Sequence, residues 1–194
     1  VSVTPLESES TYYWRVNANN SCTAAPTSEI YSFTTAVVNC ATFMSSDVPV
    51  SISSTSTPTV TSTLEISGIG EIIGITVVDL SGEHTWISDL TISLSSPQGT
   101  DVLLFSGICE NDDDWDLNFD DNASSSVIDC PPTGGGTYQP QGSLSSFIGE
   151  IAAGTWTLTI SDSFNQDGGS LETWGINICY GACLAAEAPV VESS

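Results

Sequence analysis

Apolar and polar residues alternate at every second position along most of this chain, and that period restricts the fold more than any other feature. Trp156, Leu158 and Ile160 share one face of a run, as do Trp174, Ile176 and Ile178 in another. No stretch of eleven or more residues repeats apolar positions at helical spacing, so helices are not expected to carry the core. Ser, Thr, Val, Ile and Gly dominate, which suits strands and turns. The expectation is an all-β protein: 194 residues are enough to bury one good core and part of a second.

Charge narrows the partners. There are 24 Asp plus Glu against Arg15 and no lysine, with His84 the only histidine, and the formal charge is -23. Phosphate contacts need Lys and Arg, so nucleic acid is excluded as a partner. Anionic membrane surfaces repel such a chain, and no apolar run is long enough to span a bilayer. One-signed charge strains the compact state by self-repulsion, which bound cations or a salty medium would relieve. Six dispersed cysteines (Cys22, Cys40, Cys109, Cys130, Cys179 and Cys183) lack C-x-x-C spacing, and with a single histidine they give no zinc signature. They read as disulfides of an oxidising, extracellular compartment. Cys109–Cys130 would clip an acidic loop and Cys40–Cys179 would tie the ends of a domain. Cys22 and Cys183 are left to pair with each other or with cysteines elsewhere.

Four stretches follow along the chain. Residues 1–36 read as the end of one domain, with a strand through Tyr12, Trp14 and Val16, a polar loop, and a second strand over Ile30-Tyr31-Ser32-Phe33-Thr34-Thr35. Leu6, Tyr12, Val16 and Ala18 resemble the end of a fibronectin type III domain with its tyrosine corner; Ser8, Ser10 and Trp14 depart from that pattern. Two strands cannot close a sandwich core, so the remaining strands, like the targeting signal, are expected upstream in a larger secreted protein. Residues 37–58 read as a linker leading into a strand, 59–181 as a regular series of strands (domain limits roughly 40–181), and 182–194 as a linker to another domain. Strands are expected over Val60–Ile66, Glu71–Leu80, Thr85–Leu94, Asp101–Phe105, Thr155–Ser161 and Thr173–Ile178. Their spacing, with long loops, suggests a β-sandwich or jelly roll.

The longest stretch also carries a family signature. His84-Thr85-Trp86-Ile87-Ser88-Asp89-Leu90, Ser96-Pro97-Gln98-Gly99-Thr100, Asn118-Phe119-Asp120-Asp121-Asn122-Ala123, Leu144 to Gly149, Gly154-Thr155-Trp156-Thr157-Leu158, and Asp162 through Asp167-Gly168-Gly169 to Trp174-Gly175-Ile176 occur in this order. Together they resemble the P domain, the jelly-roll accessory domain of proprotein convertases and of many bacterial secreted proteases. The resemblance implies a non-catalytic module that supports the stability or substrate contact of an adjoining protease, either a metalloprotease or a serine protease. Its partners would then be the neighbouring domains of its own parent chain.

Glu110, Asp112, Asp113, Asp114, Asp116, Asp120 and Asp121 crowd the segment between Cys109 and Cys130. Such density suits Ca²⁺, which takes six to eight oxygen ligands, although the Gly and terminal Glu of an EF-hand loop are missing. Asp89, Asp120, Asp121, Asp162 and Asp167 are the expected calcium ligands, because neighbouring strand residues would hold them rigid. A solvated acidic loop accounts equally well for the Asp112–Asp114 run. No organic cofactor and no catalytic residue is expected: no nucleophile motif surrounds a serine, and His84 reads as a partly buried, hydrogen-bonded ring. The alternative function is a structural or adhesive module of a cell-surface adhesin or filament. In that reading Trp115 and Tyr138 could stack on glycans, whereas a loop tryptophan ordinarily caps a core edge.

Overall fold

Alternating runs become paired strands throughout the computed structural model, which describes residues 6–7, 9–17, 27–35 and 37–181. The chain divides into two units, one comprising Cys40–Tyr180 and the other residues 1–39 with 181–194. In the second of these, β1 (Thr11–Trp14) and β2 (Tyr31–Thr34) pair antiparallel, Thr11 opposite Thr34. Cross-strand aromatic pairs hold this hairpin: Tyr12 stacks on Phe33 at 5.7 Å and Trp14 on Tyr31 at 5.0 Å.

The Cys40–Tyr180 unit is built from β3 (Val38–Met44), β4 (Val50–Ile52), β5 (Thr59–Ile66), β6 (Ile72–His84), β7 (Leu90–Ser95), β8 (Asp101–Ser106), β9 (Trp115–Phe119), β10 (Gly136–Tyr138), β11 (Gly154–Asp162) and β12 (Gly169–Gly181). One sheet has the order β10-β9-β6-β12-β3, with β4 also on β12; the other runs β5-β11-β7-β8. All pairings in the four-stranded sheet are antiparallel, while β10 runs parallel to β9. Both sheets contribute to one buried core. Leu64, Ile92, Leu94, Trp156, Leu158 and Ile160 come from the smaller sheet, and Val77, Leu117, Phe119, Trp174, Ile176 and Ile178 from the larger. The architecture is an all-β sandwich.

Three tryptophans, Trp115, Trp156 and Trp174, are fully buried, each worth roughly 4–6 kcal/mol of apolar transfer before entropy is counted. Two of these buried indole N–H groups have partners, whereas Trp115 Nε1 has no hydrogen-bond partner among the described residues. Trp156 Nε1 donates to the Ala152 carbonyl at 2.9 Å. Trp174 Nε1 donates across the sandwich to Ser62 Oγ at 2.8 Å, and Ser62 Oγ donates onward to the Asp47 carbonyl at 2.7 Å. Two disulfides staple the unit: Cys40–Cys179 joins β3 to β12, and Cys109–Cys130 closes the segment that contains β9. Cys22 and Cys183 lie outside the described residues, as does the 182–194 stretch.

Besides the two strands β3 and β4 found within the 37–58 stretch read as a linker leading into a strand, the structure departs from sequence expectation in three places. Thr85–Leu94 is not one strand. β6 extends to His84, a short 3-10 helix covers Ile87–Asp89, and β7 begins at Leu90. The break turns Ile87 into the core and leaves Trp86 45% exposed. The acidic segment secures it, because the Asp112 and Glu110 carbonyls accept the Ile87 and Ser88 N–H groups. Second, the segment between Cys109 and Cys130 is not all loop, since Trp115, Leu117 and Phe119 form the buried face of β9. Third, Trp115 offers no stacking face for a sugar. Its ring lies against Gly82, where a Cβ would collide with the indole and with the Ser170 carbonyl, and only 1% of the residue is exposed.

Candidate functional site

His84 is the last residue of β6, and the Leu80, Gly82, His84 alternation turns its ring inward. Beside it, β12 begins at Gly169, paired with His84. A Cβ on Gly169 would run into the Glu83 carbonyl, so only glycine permits this approach. Asp162 ends β11, Asp89 ends the 3-10 helix, and Asp167 lies in the turn between β11 and β12. The turn is bound down by the Asp89 carbonyl, which accepts the Ser163 N–H and hydroxyl, both at 3.0 Å, and by the Ser54 carbonyl, which accepts the Gln166 N–H.

His84 and Asp162 are 1% and 4% exposed. The Nδ1 side of the ring sits 3.0 Å from the Trp86 carbonyl and 3.2 Å from the Trp86 amide nitrogen. Asp162 Oδ1 accepts the Phe164 N–H at 3.0 Å. The inner atoms are different. His84 Nε2 and Asp162 Oδ2 face each other at 3.6 Å, and neither has a hydrogen-bond partner among the described residues; nor does Asp167 Oδ1. One donor atom each from His84, Asp162 and Asp167 lie within 4.8 Å of one another. Asp89 adjoins them, its carboxyl raised above the ordinary carboxylate range by burial, by a shared hydrogen bond with Asp167 and by the charges of Asp167 and Asp162, with His84 opposing. Above the cluster, Trp86, Phe164, Asp89 and Asp167 line a cleft of about 320 Å³. Three carboxylates thus converge on one imidazole in a unit that holds no Lys or Arg.

The five expected calcium ligands are therefore not one site. Asp89, Asp162 and Asp167 come together; Asp120 and Asp121 lie elsewhere. Asp121 heads the 3-10 helix at Leu144–Phe147 and accepts the Ser143 hydroxyl at 2.7 Å and the Leu144 and Ser145 N–H groups at 2.9 and 2.8 Å. Burial raises its carboxyl, but these bonds from Ser143, Leu144 and Ser145 outweigh burial and hold it below the usual range. Asp120 Oδ1 accepts the Asn122 N–H at 2.8 Å and lines a groove with Thr76, Asn118 and Thr137. The Asp112–Asp114 run serves the backbone: Asp114 Oδ1 accepts the His84 N–H at 3.2 Å, and the Asp114 N–H donates to the His84 carbonyl. The Tyr138 hydroxyl donates to Asp129 Oδ2 at 3.1 Å. Sequence reasoning identified three of the clustered acids but not the part of His84, whose only signal was its place two residues upstream of Trp86 in a conspicuous strand motif.

The family model of the proprotein convertase P-domain matches residues 74–178, more than half of the chain. No curated protein matches. Among solved structures, the serine protease of Aeromonas sobria is similar at 17% identity and TM-score 0.41, over 92% of this chain and 28% of that one. The same protease in complex with the chaperone ORF2 gives 17% identity and TM-score 0.41, over 93% and 28%. The chain thus spans little more than a quarter of the length of those structures.

Proposed function

Because this chain belongs to the proprotein convertase P-domain family, we propose that it is a non-catalytic accessory β-domain of a secreted or cell-surface protein, supporting the stability or substrate contact of an adjoining protease. The observation that carries the non-catalytic reading is the setting of the only histidine. His84 is buried, its Nδ1 edge faces backbone, and no hydroxyl or thiol among the described residues hydrogen-bonds its ring. A hydrolase triad needs that imidazole against a nucleophile. Two disulfides favour an oxidising compartment, and among the described residues no helix is long and apolar enough to cross a membrane.

Residues 1–36 fit the end of a fibronectin type III-like neighbour. The Glu7 N–H donates to the Tyr12 hydroxyl at 2.8 Å, the kind of short-range bond a tyrosine corner makes. Calcium is the proposed stabiliser, held by Asp89, Asp162 and Asp167, whose mutual repulsion only His84 opposes in a unit without Lys or Arg. Deleting residues 40–181 from the full-length protein tests the accessory role. It is expected to shorten the thermal half-life of the adjoining protease activity while leaving its active-site chemistry intact. Unchanged half-life and unchanged turnover of protein substrates would count against the role.

A further inference from the structure

We propose that His84 Nε2, together with Asp162, Asp167 and Asp89, forms a mixed nitrogen–oxygen site that binds a first-row divalent cation of the Zn²⁺–Mn²⁺ class more tightly than Ca²⁺. This rests on the reading that the cluster holds a divalent cation, and it names the metal class. Carboxylates alone would not support it. The independent observation is the buried ring: Nε2 and Asp162 Oδ2 are shielded from water, face each other at 3.6 Å, and have no hydrogen-bond partner among the described residues. Leaving such groups unpaired in the interior costs free energy.

The orientation of the ring suits a ligand. Nδ1 lies 3.0 Å from the Trp86 carbonyl and 3.2 Å from the Trp86 amide nitrogen, whose N–H donates to it when Nδ1 carries no proton. A metal on Nε2 selects the other tautomer, in which Nδ1–H donates to the carbonyl, and metal-bound histidines are commonly fixed by such a backbone carbonyl. Spacing agrees as well. A tetrahedral ion with bonds of about 2.1 Å sets adjacent ligand atoms roughly 3.4 Å apart. The Nε2–Oδ2 separation is 3.6 Å, and donor atoms of His84, Asp162 and Asp167 all fall within 4.8 Å of one another. A hard, oxygen-seeking Ca²⁺ gains little from an imidazole, whereas first-row metals favour it. Asp89 and Asp167 also line a cleft together with Trp86 and Phe164. Counting Cys and His in the sequence could not detect such a site, since its other ligands are carboxylates.

The test uses the full 194-residue chain, stripped with EDTA, titrated calorimetrically with Zn²⁺, Mn²⁺ and Ca²⁺, and examined with bound Mn²⁺ by electron spin-echo spectroscopy. Zn²⁺ is expected to bind at least about tenfold more tightly than Ca²⁺, and the Mn²⁺ signal is expected to show coupling to an imidazole ¹⁴N. His84 is the only histidine, so that coupling identifies it. His84→Asn, which keeps a polar atom near Nδ1 and removes Nε2, is expected to weaken Zn²⁺ by about tenfold or more and to change Ca²⁺ by less than about threefold. The spectroscopy needs no variant and remains decisive if His84→Asn fails to fold. Ca²⁺ binding lost in Asp167→Asn, with Zn²⁺ no tighter and no ¹⁴N coupling, overturns the inference and leaves the calcium reading intact. No saturable binding of any of the three cations overturns both.

Discussion

Replacing Ser62 by Ala removes a single oxygen from the middle of the sandwich and tests whether the two sheets are tied through it. Ser62 is 1% exposed and Trp174 is fully buried; the Ser62 oxygen accepts the Trp174 indole N–H at 2.8 Å and donates to the Asp47 carbonyl at 2.7 Å. Without it, the indole N–H is stranded where water does not reach, at a cost of about 1–3 kcal/mol. Asp47 is an exposed residue, so its carbonyl rehydrates and adds only about 0.5–1 kcal/mol. The expected destabilisation is about 2–3 kcal/mol, read as a lower urea midpoint at unchanged m. Trp174→Phe removes the N–H that needs a partner, so the double variant should recover about 1–2 kcal/mol relative to additivity. A Ser62→Ala cost below about 0.5 kcal/mol, or coupling indistinguishable from zero, would refute the reasoning.

Acid stability should report Asp121. Its carboxyl is lower in the folded state than in the unfolded chain, so its stabilisation is present above about pH 3.8 and is lost as pH falls through the folded value. Urea midpoints at pH 6 and pH 3 are expected to differ less in Asp121→Asn than in the parent protein. Replacing Cys109 and Cys130 together by Ser opens a crosslink between residues 21 apart and is expected to cost about 3 kcal/mol on the chain-entropy estimate. Denaturant unfolding under non-reducing conditions measures it, and an unchanged midpoint would show that the bridge does not constrain the unfolded chain.

The legible parts of this fold were those where alternation is undisturbed. Trp156, Leu158 and Ile160, and again Trp174, Ile176 and Ile178, lie on strands and on the inner face because nothing competes with period two there. The same period holds for Trp115, Leu117 and Phe119, but the intervening and preceding acids make that stretch read as a charged loop. Around Thr85–Leu94 local alternation was overridden by tertiary bonds: the acidic segment draws Ile87 and Ser88 into a turn. The site was half legible. Position within a strand motif marks a carboxylate as rigid, yet it cannot tell whether backbone N–H groups already occupy its oxygens. That is why Asp121, satisfied by a 3-10 helix, stood beside Asp89, Asp162 and Asp167 in the sequence reading. The unpartnered Nε2 of His84 arises from three separate segments meeting, which no local pattern records.

The central claim, that the Asp89–Asp162–Asp167 cluster needs a bound cation, is tested most directly by the melting temperature of the whole chain at low salt, in EDTA and in 5 mM calcium. With a dissociation constant of about 0.1 mM, calcium should add roughly 2.3 kcal/mol, which raises the melting temperature by about 5–9 °C for a protein of this size. Asp167→Asn should abolish that rise, and Asp121→Asn should leave it intact. A melting temperature indifferent to calcium, or a rise that survives Asp167→Asn, would contradict the claim.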